Sequence, residues 1–582
     1  MHFPAFAGRA SCEPFSKKSP PLLRTPTQSI VDRFWQVAAI GIAALVLLPL
    51  GAILWIALTP ASDVWEHMLA TVLPGAVQTT LLLMLGVGLT TGITGVATAW
   101  LVTMCNFPGR RLLDWALLVP LAVPTYIVAF AYVEVLDYTG PVQSLIRDLF
   151  GFRTSRDYWF PEIRSLGGAI FVMGAVLYPY VYLTTRASFL IQSASTLDVS
   201  RTLGASPYGL FFRVALPLAR PAIAIGISLA LMECLNDIGA VTFFGVKTLT
   251  FSVYDTWLNR SSLGGAAQLA LAMLLMVFLL LWLERFGRRK QRFDSGSAKH
   301  RPPTRFDLPP FQAGLALILC LAPILVGFVV PGLLLADRAS RRLEDALSDG
   351  FLTTIWNSFS LAAIAALLTV LISVSLAYAL RLNAKGPLKG AVRLASIGYA
   401  IPGTVLAIGI LIPLATFDNF LDARMEAWFG IDTGLLLLGS GTGLVYAYVV
   451  RFLAVSYGQV EGGFGRISPH LDMAARTLGR NSGQTLTQIH LPILKPVLLS
   501  AALLSFVDCM KELPATILLR PFNFETLATT VFEAASREAF EEAALPSLAI
   551  VLVGLIPVIY LARTSASSFR TRLSKRQAGP AV

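Results

Sequence analysis

Five ionisable residues stand in stretches of this chain that are otherwise apolar. Glu233 and Asp237 lie within 221–244, and Asp508, Lys511 and Glu512 lie within 496–519. If both stretches are helical, Glu233 and Asp237, four apart, share one face, and Asp508, Lys511 and Glu512 repeat the arrangement. Each group begins ~12 residues past the start of its stretch, roughly 18 Å along an axis that rises 1.5 Å per residue. Charges that deep in hydrocarbon are costly, so they should face a bundle interior or a watery path and be paired. Lys511 can neutralise Asp508 within one turn. Two readings follow: a polar translocation path or gate whose first-group carboxylates suit a cation, or a salt-bridge network that only locks helices together. Carboxylate oxygens are hard ligands, but neither His nor clustered Tyr stands beside them in the sequence, so no metal site is assigned.

A second pattern occurs twice. Asp198-Val-Ser-x3-Gly204-x9-Val214-x-Leu216-Pro217 is matched by Met473-Ala474-Ala475-x3-Gly479-x9-Ile489-x-Leu491-Pro492. Each reads as a short amphipathic helix, a Gly that lets the backbone turn, a second helical segment, and a Pro where a new helix begins and its missing N–H costs nothing. No G-x4-G-K-[ST] phosphate loop is present; Gly245-Val-Lys247-Thr lacks both the partner glycine and the Gly-Lys step. The five His (His2, His67, His300, His470, His490) show no paired ligand spacing, and the five Cys (Cys12, Cys105, Cys234, Cys320, Cys509) form no CxxC pair. A catalytic or structural metal centre is therefore not indicated.

The elements that must hold these residues are membrane helices. Hydrophobic residues make up 55% of the 582 and charged residues 14%, against about 25% charged in soluble chains. Apolar runs of ~20 residues, enough to cross ~30 Å of hydrocarbon, must be helical because hydrocarbon offers the backbone no other partner. The runs predict an all-α polytopic membrane protein with about twelve spans. In the first half they fall at 37–58, 78–103, 115–133, 167–183, 221–244 and 264–283. In the second they fall at 313–336, 356–380, 394–416, 434–456, 496–519 and 544–562.

With the N-terminus placed in the cytoplasm, the tails and inner loops hold 32 Lys+Arg against 8 Asp+Glu, and the outer loops 12 against 20. That is the positive-inside pattern, with both termini cytoplasmic. The net charge of +12 is thus a topology signal, and nucleic-acid binding is not expected. Residues 1–33 read as a mobile tail, 34–284 as one six-span domain, 285–310 as a basic linker, 311–564 as a second six-span domain and 565–582 as a tail. The halves repeat at a nearly constant offset. Ala122-Val-Pro124 returns as Ala400-Ile-Pro402; Arg201-Thr-Leu-Gly204 and Cys234 return 275 residues later as Arg476-Thr-Leu-Gly479 and Cys509. Six spans per half make the repeats parallel, with the substrate path between them.

The twice-occurring loop resembles the EAA loop of ABC-type import permeases, consensus EAA-x3-G-x9-I-x-LP. In that family it forms a coupling helix seated in a groove of a cytoplasmic ATPase subunit. The resemblance implies that role for Asp198, Gly204, Val214, Leu216 and Pro217, and for Asp472, Ala474, Ala475, Gly479, Ile489, Leu491 and Pro492. The leading acid is conservatively replaced at Asp198; in the second copy Met473 takes its place, with Asp472 shifted by one. The whole design, including Lys511-Glu-Leu-Pro-Ala-Thr-Ile-Leu-Leu-Arg520, Tyr448-Val-Val-Arg451-Phe-Leu and Leu235-Asn-Asp-Ile-Gly239, resembles bacterial ferric-iron import permeases. That resemblance implies a bacterial inner-membrane location and alternating access. It also implies two cytoplasmic ABC ATPase subunits that use ATP-Mg, an extracytoplasmic solute-binding protein that delivers Fe3+, and contact with membrane lipid. No cofactor is expected on this chain itself. Fused permeases for thiamine, and relatives moving phosphonates or polyamines, share the scaffold. A gradient-driven secondary transporter would have no use for the repeated loop, and a membrane enzyme would show His or Asp clusters at a membrane face.

Overall fold

The computed structural model describes residues 26–59, 66, 68–191, 207–288, 305–382, 387–396 and 398–577. Among them, ten helices are long and apolar enough to cross a membrane, and a bent pair, Arg110–Ala122 and Thr125–Phe150 at 89°, brings the number to eleven. One expected run stands outside that number by its lower apolarity, although it too is a long helix. The tenth expected span is the helix Thr442–Gly465, which buries Arg451, Ser456 and two tyrosines. Flanked on most sides by protein, it has no need of an apolar surface.

Helices that do meet lipid are polarised the other way. Along Leu73–Met104 the side chains of Leu81, Leu85, Leu89 and Ile93 point outward, while Thr80, Thr91 and Thr98 are buried. The four-residue outward stripe is the face of one helix. The buried hydroxyls bond carbonyls a turn back, as Thr80 does to Ala76 O at 2.6 Å, so none carries an unmet donor into the core.

In the first half the helices Leu73–Met104, Leu166–Ile191 and Leu216–Asn236 pack mutually, and in the second Asp349–Leu382, Thr442–Gly465 and Leu491–Met510 do the same. One hydrogen bond repeats at equivalent places. Thr80 Oγ1 accepts from Leu249 N at 2.9 Å and Ser358 Oγ accepts from Leu527 N at 2.7 Å, both 169 residues apart in sequence.

The leading helix of each half reaches across to the other. Pro26–Leu58 packs on Asp349–Leu382, Pro387–Ala395 and Gly403–Phe429, while Pro310–Ile324 packs on Leu73–Met104 and Val330–Ser340 on Thr125–Leu136. Both crossings are fixed by a tyrosine on a carbonyl that the helix itself leaves free. Pro49 has no N–H for Leu45 O, and the Tyr446 hydroxyl takes that carbonyl. A π-turn, Leu325–Val329, loosens the ladder around Val326 O, which accepts from the Tyr132 hydroxyl at 2.9 Å.

Several expected boundaries shift. The first helix begins at Pro26, inside the expected tail; the sixth runs to Arg288, inside the expected linker; the last runs from Phe540 to Gln577, past 564. Four expected spans are interrupted. The third and ninth break at Val123-Pro124 and Ile401-Pro402, because the residue before a proline is pushed out of helical geometry, and helices restart at Thr125 and Gly403. The fifth and eleventh stop at Asn236 and Met510, and short helices Ile238–Phe243 and Thr516–Leu519 follow.

Candidate functional site

The four interruptions face one another at the junction of the two halves. They enclose a cavity of about 80 Å³ whose wall includes all five candidate path residues: Glu233, Asp237, Asp508, Lys511 and Glu512. A space of that size holds a few waters or one small ion.

The expected single face for Glu233 and Asp237 is corrected. The helix ends at Asn236, and Asp237, at φ −79° and ψ 105°, caps the next one, accepting from Ala240 N at 2.8 Å. Thr125, first residue of the restarted third span, donates its hydroxyl to the same carboxylate. Asp237 is buried, at 7% exposure, with no cationic partner among the described residues. Glu512, 275 residues later, caps in the same way, accepting from Ala515 N at 2.9 Å and Thr516 N at 3.0 Å. Unlike Asp237 it also holds a cation: Arg451 Nη1 lies 2.8 Å from Glu512 Oε1, both buried. Room for that guanidinium comes from Gly403, where an added Cβ would lie 2.5 Å from Arg451 Nη1 and 2.7 Å from Glu512 Oε1. Thr125 fills the equivalent place in the first half, and Val176 the place of Arg451.

Asp508 pairs with Lys511 at 2.9 Å, as the spacing predicts. Its counterpart Glu233 instead accepts from the Tyr399 hydroxyl. Asn236, the counterpart of Lys511, accepts from Gly403 N at 2.7 Å and so ties the two halves together. Tyrosines that are not beside these carboxylates in sequence meet them in space. Tyr180 comes from the fourth span and Tyr399 from the break in the ninth, and Tyr126 lines the same cavity. A lone Arg in an apolar run was a readable signal for Arg451; the tyrosines, unremarkable in sequence, carried none.

The second candidate coupling loop is the helix Pro469–Thr477. Gly479 sits at φ +76°, with Gly479 N bonded to Arg476 O and Arg480 N to Ala475 O, both at 3.0 Å. This paired C-terminal cap needs a left-handed residue, and since nothing crowds the missing Cβ, conformation alone asks for glycine. Asn481 and Gln484 then cap the following segment reciprocally. Ile489 lies in a π-turn, Leu486–His490, before the helix opened by Leu491-Pro492. Ala475 is buried, while Ala474, Leu471, Met473 and Leu478 face outward.

Asp472 does not stand in for the displaced acid at that outer face. It turns inward, 2.6 Å from Arg381 Nη2 and 2.9 Å from His490 Nε2. Arg381 also donates to Phe464 O at 2.7 Å and Ile467 O at 3.1 Å, and the His490 ring stands edge-on to Tyr378 and Phe464. The helix Pro469–Thr477 is thereby held against three spans. In the first copy Asp198 and Gly204 lie outside the described residues. Val214 falls in a π-turn, Phe211–Ala215, and Leu216 and Pro217 open the next helix, matching the second copy.

Residues 91–292 match the family described as binding-protein-dependent transport system inner membrane component. An Fe(3+)-transport system permease protein of Haemophilus influenzae is 26% identical over 83% of this chain and 88% of its own length. A ferric transport system permease protein of Actinobacillus pleuropneumoniae is 24% identical over 69% of this chain, which spans only 58% of that relative. A molybdenum transport system permease protein of Escherichia coli is 29% identical over 34% of this chain and 86% of its own length.

Proposed function

Since this chain is a multi-pass inner-membrane permease of the ABC import class, we propose that it forms the channel through which an ATP-driven importer passes a cation, ferric iron, into the cytoplasm. The observation that carries the ATP-driven part is the clamped helix Pro469–Thr477. Its outward Leu471, Met473 and Leu478 offer an apolar seat for a partner. Its inward Asp472 pairs with Arg381 of Asp349–Leu382, which donates to Phe464 O of Thr442–Gly465, and lies 2.9 Å from His490, the residue before Leu491–Met510. A push on such a helix moves those spans as a lever, and those spans carry Arg451 and Asp508 to the cavity. On this reading two cytoplasmic ATPase subunits, using ATP-Mg, engage loops around Gly204 and Gly479, and an extracytoplasmic binding protein feeds the outer side.

The cavity supports a cation. Four carboxylates against Arg451 and Lys511 leave two negative charges when all are ionised. That balance opposes an oxyanion or a phosphonate in the low dielectric between helices. Ferric iron is favoured over thiamine or a polyamine by the relatives named above and by the hard carboxylate and phenol oxygens in the lining. The test is reconstitution with the partner ATPase and binding protein. Gly479→Val should cut ATP-dependent Fe3+ uptake by at least about tenfold at equal insertion, since the left-handed position costs a β-branched residue roughly 1–2 kcal/mol. Uptake equal to wild type sinks the coupling role, and uptake of thiamine or spermidine in place of iron sinks the substrate.

A further inference from the structure

Within the cavity the negative charge is unevenly placed. In the second half each carboxylate has its own cation, Asp508 with Lys511 and Glu512 with Arg451. In the first half Glu233 and Asp237 have none among the described residues and are met by hydroxyls instead. Three phenols line the cavity on that side: Tyr399, bonded to Glu233, with Tyr180 and Tyr126. Tyr126 is 4% exposed, and its hydroxyl has no hydrogen-bond partner among the described residues. A buried phenol left unpaired costs about 1–3 kcal/mol, a cost removed if something that enters the cavity binds it. No three of His, Cys, Asp and Glu among the described residues converge to hold a metal, so an ion held here draws on other oxygens as well, and the phenols supply the nearest set.

We propose that Tyr126, Tyr180 and Tyr399, with Asp237, form a transit site for a hard trivalent cation at the junction of the halves, and that Glu233 is the base that readies Tyr399. This deepens the cation-import reading and rests on it. When the ion arrives, the Tyr399 O–H bond breaks, its proton passes to the Glu233 oxygen it already faces, and the phenolate oxygen binds the metal. Charge is met inside the cavity, and no proton need cross the bilayer. The donors come from both halves, Tyr399 from the second and the others from the first. Separation of the halves during the cycle therefore dismantles the set and releases the ion. A softer divalent ion gains less from phenolate and carboxylate oxygens, which makes the site selective as well as transient.

The test uses the full chain in lipid nanodiscs, titrated with Fe3+ supplied as its nitrilotriacetate complex, and reads the visible phenolate-to-iron charge-transfer band. Wild type should develop the band. Tyr399→Phe, Tyr180→Phe and Tyr126→Phe should each weaken it, and the triple variant should lack it. Glu233→Gln, which removes the acceptor orienting Tyr399, should weaken binding about 10–100-fold. Tyr132→Phe, whose hydroxyl is committed to Val326 O, should leave the band unchanged. A well-folded wild type without the band overturns the site, as does a band that survives in the triple variant; if the triple variant fails to fold, the three single variants decide. Iron uptake is measured in parallel. Uptake without a band discards this site and keeps the importer, whereas a band without iron uptake keeps the site and discards the substrate reading.

Discussion

Arg451 shows how much one residue can hang on another inside a membrane protein. Its guanidinium reaches Glu512 with a single nitrogen, and Nε finds no partner among the described residues. Removing the acid strands a buried charge, a change that costs about 3–5 kcal/mol where such pairs have been broken. Glu512→Gln should therefore lower thermal stability in detergent sharply. Arg451→Met in the Glu512→Gln background should recover most of the loss, because it removes the stranded charge while a side-chain oxygen is still there to accept from Ala515 N and Thr516 N. Asp237 makes the opposite case: it caps a helix with no cation beside it among the described residues, so Asp237→Asn should fold with little loss. A fall in stability as large as that of Glu512→Gln would show that Asp237 is a structural group and not a free charge of the path.

Single elements carry the next set of consequences. The leading helix is held to the opposite half by the Tyr446 hydroxyl on Leu45 O, a carbonyl orphaned by Pro49. Tyr446→Phe should cost about 0.6 kcal/mol, the average for such bonds between membrane helices. In a Pro49→Ala background the same change should cost almost nothing, since the backbone N–H restored by that substitution reclaims the carbonyl. A double-mutant cycle with no coupling would refute this account. The coupling helix is held by Asp472 between Arg381 and His490. Asp472→Asn should loosen the lever without touching its outer face. The expected outcome is ATPase binding as in wild type, measured by co-purification, with fewer ions moved per ATP hydrolysed; lost ATPase binding would place Asp472 at the partner interface instead.

At the scale of the molecule the halves are closed over the cavity by contacts near the ends of the expected outer loops. Phe130 stacks on Phe540 at 5.0 Å and Phe243 lies 5.7 Å from Phe532, each pair joining one half to the other. Farther out, Arg338 of the second half holds Glu134 of the first at 2.6 Å, and Arg164 of the first holds Glu538 of the second at 2.7 Å. Alternating access requires these pairs to part when the outer side opens. Cysteines at 130 and 540 should be joined by a short thiol-reactive cross-linker in the resting assembly, and the yield should fall when a non-hydrolysable ATP analogue draws the ATPase subunits together. A yield indifferent to nucleotide would mean that the pair is a fixed support and no gate.

Much of this was legible in the residues. Chain length, apolar runs and the bias of Lys and Arg define a multi-pass membrane protein, because hydrocarbon accepts only self-bonded backbone and positive loops stay inside. The offset repeat and the Gly-x9-aliphatic-x-Leu-Pro loops marked two halves and two levers, since glycine at a left-handed turn and proline at a helix start are local demands that any fold must meet, as Gly479 does. Glu233, Asp237, Asp508, Lys511 and Glu512 were singled out because charges in apolar runs are rare at any position. The sequence could not say which of them was free. Helical periodicity put Glu233 and Asp237 on one face, but the chain breaks between them, and prolines two spans away shape the gap. Only packing brought Arg451 to Glu512 and left Asp237 without a cation, and only packing gathered Tyr126, Tyr180 and Tyr399 from separate spans. Pairing within a membrane depends on which helices meet, and that is decided by the contacts of the whole bundle.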